Sequence, residues 1–277
     1  MEKYIESYKQ LYEAVYSEKK KKYIETQLTN FVTMKGKRYD EKIGKDNVVR
    51  FMLVGRATNG WGKGIDTSTQ DSYVKGAVEL FEQNTRFETE WGLKDGENNP
   101  YSEYYEVDKD GNRIKDNLKK YYLSKSPFWD TALKIYQELS KNEDHTKTDW
   151  HEDIVWSNIY KVAPLKEGNP SSRLIYAQAP ACVKLLKEEI RILKPTHILM
   201  IVDESWLSWA PRGKTMFDFK EVFDGYERHC LTSGNDQEKK IVQQTFTAES
   251  CKVLVTCRPE FISRESYINS VLDAFNN

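Results

Sequence analysis

Apolar positions in this chain recur with two periods, which divide it into helices and buried strands. Tyr4/Ile5, Tyr8, Leu11/Tyr12 and Val15/Tyr16 return at helical spacing, so residues 2 to 34 read as helical, with lysines interrupting the pattern near residue 20. Val48-Val49-Arg50-Phe51-Met52-Leu53-Val54 is different: a nearly continuous apolar run that stops at Gly55. Such a run, bounded by turn residues, predicts a strand buried on both faces, as in a parallel sheet. Three further runs have the same character: Ile154 to Pro164, His197 to Val202 closing on Asp203, and Lys252 to Cys257.

The helical period returns between them. Pro127 opens a helix that carries Trp129, Ala132, Leu133, Tyr136 and Leu139 on one face. A helix begun near Pro180 places Cys182, Leu186, Ile190 and Leu193 together before Pro195 stops it, and a last helix carries Tyr267/Ile268, Val271/Leu272 and Phe275. Helices near 73–83 and 204–209, short strands at 217–223 and 226–231, and a polar helix near 236–247 complete the reading. Tyr104-Tyr105-Glu106-Val107 and Arg113-Ile114 flank Asp110-Gly111, which predicts a hairpin. A calcium loop is excluded there, because Asn117 stands where the loop needs a glutamate.

Strands alternating with helices imply βαβ units. The expected fold is α/β: a three-layer α/β/α arrangement around a central, mostly parallel four-stranded sheet. With no internal repeat and no long linker, residues 1–277 read as one domain, with a helical extension over 1–45 and an insertion over 63–126 that holds the hairpin.

Composition narrows the class. The 17 Tyr, 11 Phe and 7 Trp argue against disorder. Lys+Arg and Asp+Glu are 42 and 43, so any basic face for nucleic acid must be local, such as Lys19 to Lys22 with Lys35, Lys37 and Arg38. No apolar run reaches the ~20 residues of a membrane helix, and the start Met1-Glu2-Lys3 does not read as a secretory signal. The four cysteines, Cys182, Cys230, Cys251 and Cys257, lack a Cys-x-x-Cys spacing, which fits a reduced, cytoplasmic protein.

In parallel sheets ligands bind beyond the carboxyl ends of the strands. That directs attention to Gly55-Arg56-Ala57-Thr58-Asn59-Gly60-Trp61-Gly62, to Asn158 and Lys161, to Asp203, and to Arg258-Pro259-Glu260. An asparagine amide sets a donor beside an acceptor and can pair with the amide-like edge of uracil or a similar ring. Trp61, Phe128 or Tyr160 can stack on an extruded base, and Arg258 can neutralise an oxyanion that develops as a glycosidic bond breaks. Each has a structural alternative. Asn158 can cap a turn, Trp61 and Phe128 can pack in the core, and Arg258 can pair with Glu260 or Asp203. The scattered histidines 145, 151, 197 and 229 argue against a zinc site. Neither a Gly-x-Ser-x-Gly elbow nor a Gly-x-x-x-x-Gly-Lys-Ser/Thr phosphate loop is present.

The order of these strand ends resembles the uracil-DNA glycosylase superfamily in divergent form. Gly55-Arg56-Ala57-Thr58-Asn59-Gly60 looks like the family's glycine-led loop, and Ser157-Asn158-Ile159-Tyr160-Lys161 resembles its Thr-Asn-x-x-Lys. Cys182 to Leu186, Glu189-Ile190 and Leu193-Lys194-Pro195 fit the helix that comes next in the family, and Arg258-Pro259-Glu260 stands where the family has His-Pro-Ser. The resemblance covers roughly 48–62 and 127–275. It implies base recognition by Asn158, with Gly55, Arg56, Ala57, Trp61, Phe128 and Lys161 around the substrate. It also implies stabilisation of the leaving base by Arg258 and a water positioned by Asn59. The family's water-activating residue falls on Ala57 or Arg56, neither of which is a base. No cysteine precedes residue 182, so no iron–sulfur cluster and no other cofactor are expected. Three readings result: an N-glycosidic hydrolase acting on DNA or a nucleoside, a nucleobase or nucleic-acid binding module without chemistry, and an unrelated α/β enzyme of small molecules.

Overall fold

The computed structural model describes residues 1–17, 27–57, 65–89, 101–107, 113–141, 143, 150–165, 168–208, 219–223, 227–229, 241–248 and 251–277, with backbone alone for 88–89, 101–107, 113–121, 208 and 227–229. In chain order these residues form α1 (Glu2–Val15), β1 (Leu28–Asn30), β2 (Met34–Lys35), β3 (Phe51–Gly55), α2 (Gln70–Glu82), α3 (Arg86–Thr89), β4 (Tyr101–Val107) and β5 (Arg113–Tyr122). There follow α4 (Pro127–Leu139), β6 (Ile154–Asn158), β7 (Val162–Pro164), α5 (Ser172–Leu193), β8 (His197–Ile201) and α6 (Glu204–Ser208). The chain closes with α7 (Phe219–Val222), β9 (Glu227–His229), β10 (Val242–Ala248), β11 (Cys251–Thr256) and α8 (Arg264–Asn276).

The main sheet has the order β2-β6-β3-β8-β11-β10-β9. The four strands expected from the sequence are its centre, and β6, β3, β8 and β11 run parallel. The sheet is wider than four strands, because β2 joins one edge and β10 and β9 the other, all antiparallel. Alternation along each central strand feeds two cores. Met52, Val54, Val155, Ile198 and Val253 belong to one, packed beneath α1, α2 and α5. Phe51, Leu53, Ile154, Leu199 and Leu254 belong to the other, beneath α4 and α8. The result is a mixed α/β fold with helices on both faces of the sheet.

Several local expectations change. Residues 154–164 are not one strand: β6 stops at Asn158, and β7 leaves the sheet to pair with β1. The N-terminal helix ends at Val15 and is no appendage. Its tyrosines Tyr4, Tyr8 and Tyr12 pack ring on ring with Tyr73 and Phe81 of α2, and Tyr16 and Tyr73 both donate to the Asn30 side-chain oxygen. The α5 helix starts at Ser172, with Pro180 inside it. The stretch near 217–223 contains α7 rather than a strand, and β10, over 242–248, takes the second half of the predicted polar helix. There Val242, Phe246 and Ala248 are buried at strand spacing against β11, so pairing overrides a weak helical pattern. The hairpin is observed as β4 with β5, and its Asp110-Gly111 turn lies outside the described residues. No helix among the described residues is long and apolar enough to cross a membrane.

His197 opens β8 against the ring of Phe275, and burial, then Lys252, pulls its imidazole down to about 4. The unfolded chain therefore takes up this proton near 6.5 while the folded protein resists it until about 4. Stability should rise with pH across that window, by up to about 3 kcal/mol from this group. Urea unfolding at the two ends of the window, with His197→Gln losing that part of the slope, measures it.

Candidate functional site

The carboxyl ends of β6, β3, β8 and β11 share one edge of the sheet. The first of these strands in the chain, β3, lies between the second and the third, so connections leave it in opposite directions. Open α/β sheets form their ligand crevice at such a switch point. Period-two alternation then sends the residues at the end of β3 to opposite faces: Gly55 continues the face of Phe51 and Leu53, and Arg56 the face of Met52 and Val54.

On the Gly55 face, Gly55 pairs in register with Asn158. A Cβ at Gly55 would collide with Asn158 Oδ1 and stand 3.4 Å from the Cζ of Phe128. Glycine therefore lets the Asn158 amide lie against the backbone beneath the Phe128 ring. That ring is half-buried and meets Trp129 edge-on at 5.3 Å. Asn158 is 1% exposed, and its Nδ2 has no hydrogen-bond partner among the described residues. Leaving a buried amide donor unpaired costs about 1–3 kcal/mol. The turn-cap alternative supplies Nδ2 with no acceptor among these residues.

On the opposite face, Arg56 Nε donates to Val202 O at 2.6 Å, and Nη2 stands 3.4 Å from Asp203 Oδ2. Its guanidinium lies 4.9 Å from the Trp206 ring centre. Burial and then neighbouring Arg258 hold its pKa below the usual arginine value. Ala57 packs against the core beneath α5. Beyond Trp206 is a cavity of about 490 Å³ lined by Pro170, Ser171, Ser172, Ile175, Ser205 and Trp206. Past β11, Arg258 is paired with Glu260, which realises its structural alternative, while the second Glu260 oxygen is buried without a partner among the described residues.

Lys161 requires a correction. It is buried, and its Nζ donates to Ser157 Oγ at 2.7 Å, Glu189 Oε2 at 2.9 Å and Thr33 Oγ1 at 3.3 Å. The chain turns inward after β6, so the ammonium is enclosed beneath α5 rather than offered to a ligand. Tyr160 is likewise buried, donating to Trp206 O, which removes it as a stacking surface. Asn59 and Trp61 lie outside the described residues.

The structure thus brings Gly55, Asn158 and Phe128 together on one face of the strand end, and puts Arg56 and Ala57 on the other. Sequence reasoning passed over Trp206 and the unpartnered Glu260 oxygen. The only signal for Trp206 was its place just after the third strand. Removing the Lys161 ammonium strands the Glu189 charge in the core, and such losses cost about 3–5 kcal/mol. Lys161→Met should therefore lower the urea midpoint sharply, whereas Lys161→Met with Glu189→Leu should recover much of the loss. No protein-family model matches this chain, and no curated protein is similar to it.

Proposed function

We propose that the Gly55–Asn158–Phe128 cluster recognises a nucleobase, with the Asn158 amide reading the adjacent N–H and C=O of a uracil-like edge and Phe128 lying on the ring. The observation that carries this reading is the buried Nδ2 of Asn158, which lacks a partner among the described residues. A ligand carbonyl would satisfy it. The likeness to the uracil-DNA glycosylase fold belongs to the same proposal, and its reaction would be hydrolysis of an N-glycosidic bond in DNA or a nucleoside. In that scheme Asn59 positions the water, and Arg258 stabilises the departing base as a fixed cation.

A second reading, base binding without hydrolysis, is favoured by a specific observation. The residues after Gly55 offer Arg56 and Ala57 in place of an acid, and Asp203 and Glu260 both face arginines.

Incubation with single-stranded and duplex oligonucleotides containing uracil, scored for abasic sites, separates the two. Hydrolysis predicts product that both Asn158→Ala and Arg258→Ala lose. Binding alone predicts no product, with thermal stabilisation by uracil or deoxyuridine that Asn158→Ala weakens at least about tenfold in affinity. Gly55→Ala should reproduce the Asn158→Ala loss while the protein stays folded, since its methyl displaces the amide. No product and no stabilisation would overturn the nucleobase reading.

A further inference from the structure

The opposite edge of the sheet, at the amino ends of the same parallel strands, has a contrasting character. Arg50 immediately precedes β3, and Lys194 sits just before β8. With Lys187 and Arg191 of α5 they surround a cavity of about 410 Å³, whose apolar wall includes Val222 and Phe223. No carboxylate lines it among the described residues. A volume of this order suits a small organic ligand.

The Arg50 guanidinium is held in place without being neutralised. Its Nε donates to Lys194 O at 2.6 Å, and Nη1 to the carbonyl oxygens of Lys42 and Lys45, both at 3.3 Å. Neither Arg50 nor Lys194 has a carboxylate partner among the described residues, whereas Arg191 pairs with Glu188 at 2.8 Å. Lys194 is the left-handed cap of α5, with φ of 47°. Basic groups at a helix C-terminus offset a dipole of about half a negative charge. Arg50 and Lys194 together exceed that by roughly one and a half charges. An anion between them would offset that excess.

We propose that this cavity binds a small organic phosphate of mononucleotide size, with the phosphate between Arg50 and Lys194 and the ring against Phe223. The site is separate from the Asn158 cluster. The strands between them span about five residues, or about 15 Å. It does not depend on the nucleobase reading.

Calorimetric titration with AMP, inorganic phosphate and a 5′-phosphorylated single-stranded oligonucleotide tests the proposal, using the unaltered protein, Lys194→Glu and Asn158→Ala. Lys194 is exposed, so its reversal should leave the fold intact, which a melting curve checks. The expected result is submillimolar AMP binding that weakens at least about tenfold in Lys194→Glu and with added salt, and is unchanged in Asn158→Ala. Inorganic phosphate should bind at least about tenfold more weakly than AMP, lacking the apolar contact. Four outcomes would each overturn the proposal: no AMP binding, AMP binding indifferent to Lys194→Glu, inorganic phosphate as tight as AMP, or binding of the oligonucleotide alone. Loss of AMP binding only in Asn158→Ala would move the ligand to the Asn158 cluster and overturn it equally.

Discussion

The buried ammonium of Lys161 organises the end of the sheet. Two opposite charges removed from water cost several kcal/mol each before their attraction and hydrogen bonds offset it. Here the offset comes from three elements at once: Glu189 on α5, Ser157 in β6, and Thr33 in the segment between β1 and β2. The chain leaving β6 must therefore turn toward α5. Gln178 reinforces the turn by accepting from Val162 N and donating to Val162 O. With that direction set, Ile159 and Tyr160 continue the ladder onto the carbonyls of Gly55 and Arg56. Asn158, one residue earlier, is left on the opposite face with its amide against Gly55. The same ion pair that encloses Lys161 thus leaves Asn158 beside Gly55 and Phe128.

Strand alternation then decides which groups can act together. Gly55, Asn158 and Phe128 form a cluster of one amide, one ring and bare backbone. Arg56, Asp203 and Trp206 occupy the other face, where each charge meets its opposite. Past β11, Arg258 and Glu260 do the same. Such pairs contribute little stability where they are exposed, but they leave that edge close to neutral. An uncharged, hydrogen-bonding ring suits an edge of this kind, where the Asn158 donor and the second Glu260 oxygen are buried without partners among the described residues.

The two edges of the sheet are electrostatically unlike, although the formal net charge of the chain is only −1. Carboxylates balance arginines at the carboxyl ends of the parallel strands. At the amino ends Arg50 is held by carbonyls, which orient a cation without cancelling it. Whole-chain charge averages over this difference, since screening confines such effects to about 10 Å. Local sign, not the total, governs what each cavity attracts.

Periodicity alone was enough to locate the four central strands and the long helices α4 and α5 between them. A strand covered on both faces must be apolar throughout, and an amphipathic helix must repeat every three to four residues. The shared edge of the strand ends was legible for a related reason, since strand direction follows from helical crossovers. The reading was weakest where partners, rather than period, set conformation. The polar 242–248 segment is a strand because β11 lies beside it, and 154–164 breaks after Asn158 because Lys161 is drawn inward. Asn158 and Lys161 were equivalent members of one motif on paper. Folding left one amide beside Gly55 without a partner for its Nδ2 among the described residues and drew one ammonium into a closed ion pair, because a side chain's role depends on what distant parts of the chain bring within hydrogen-bonding reach.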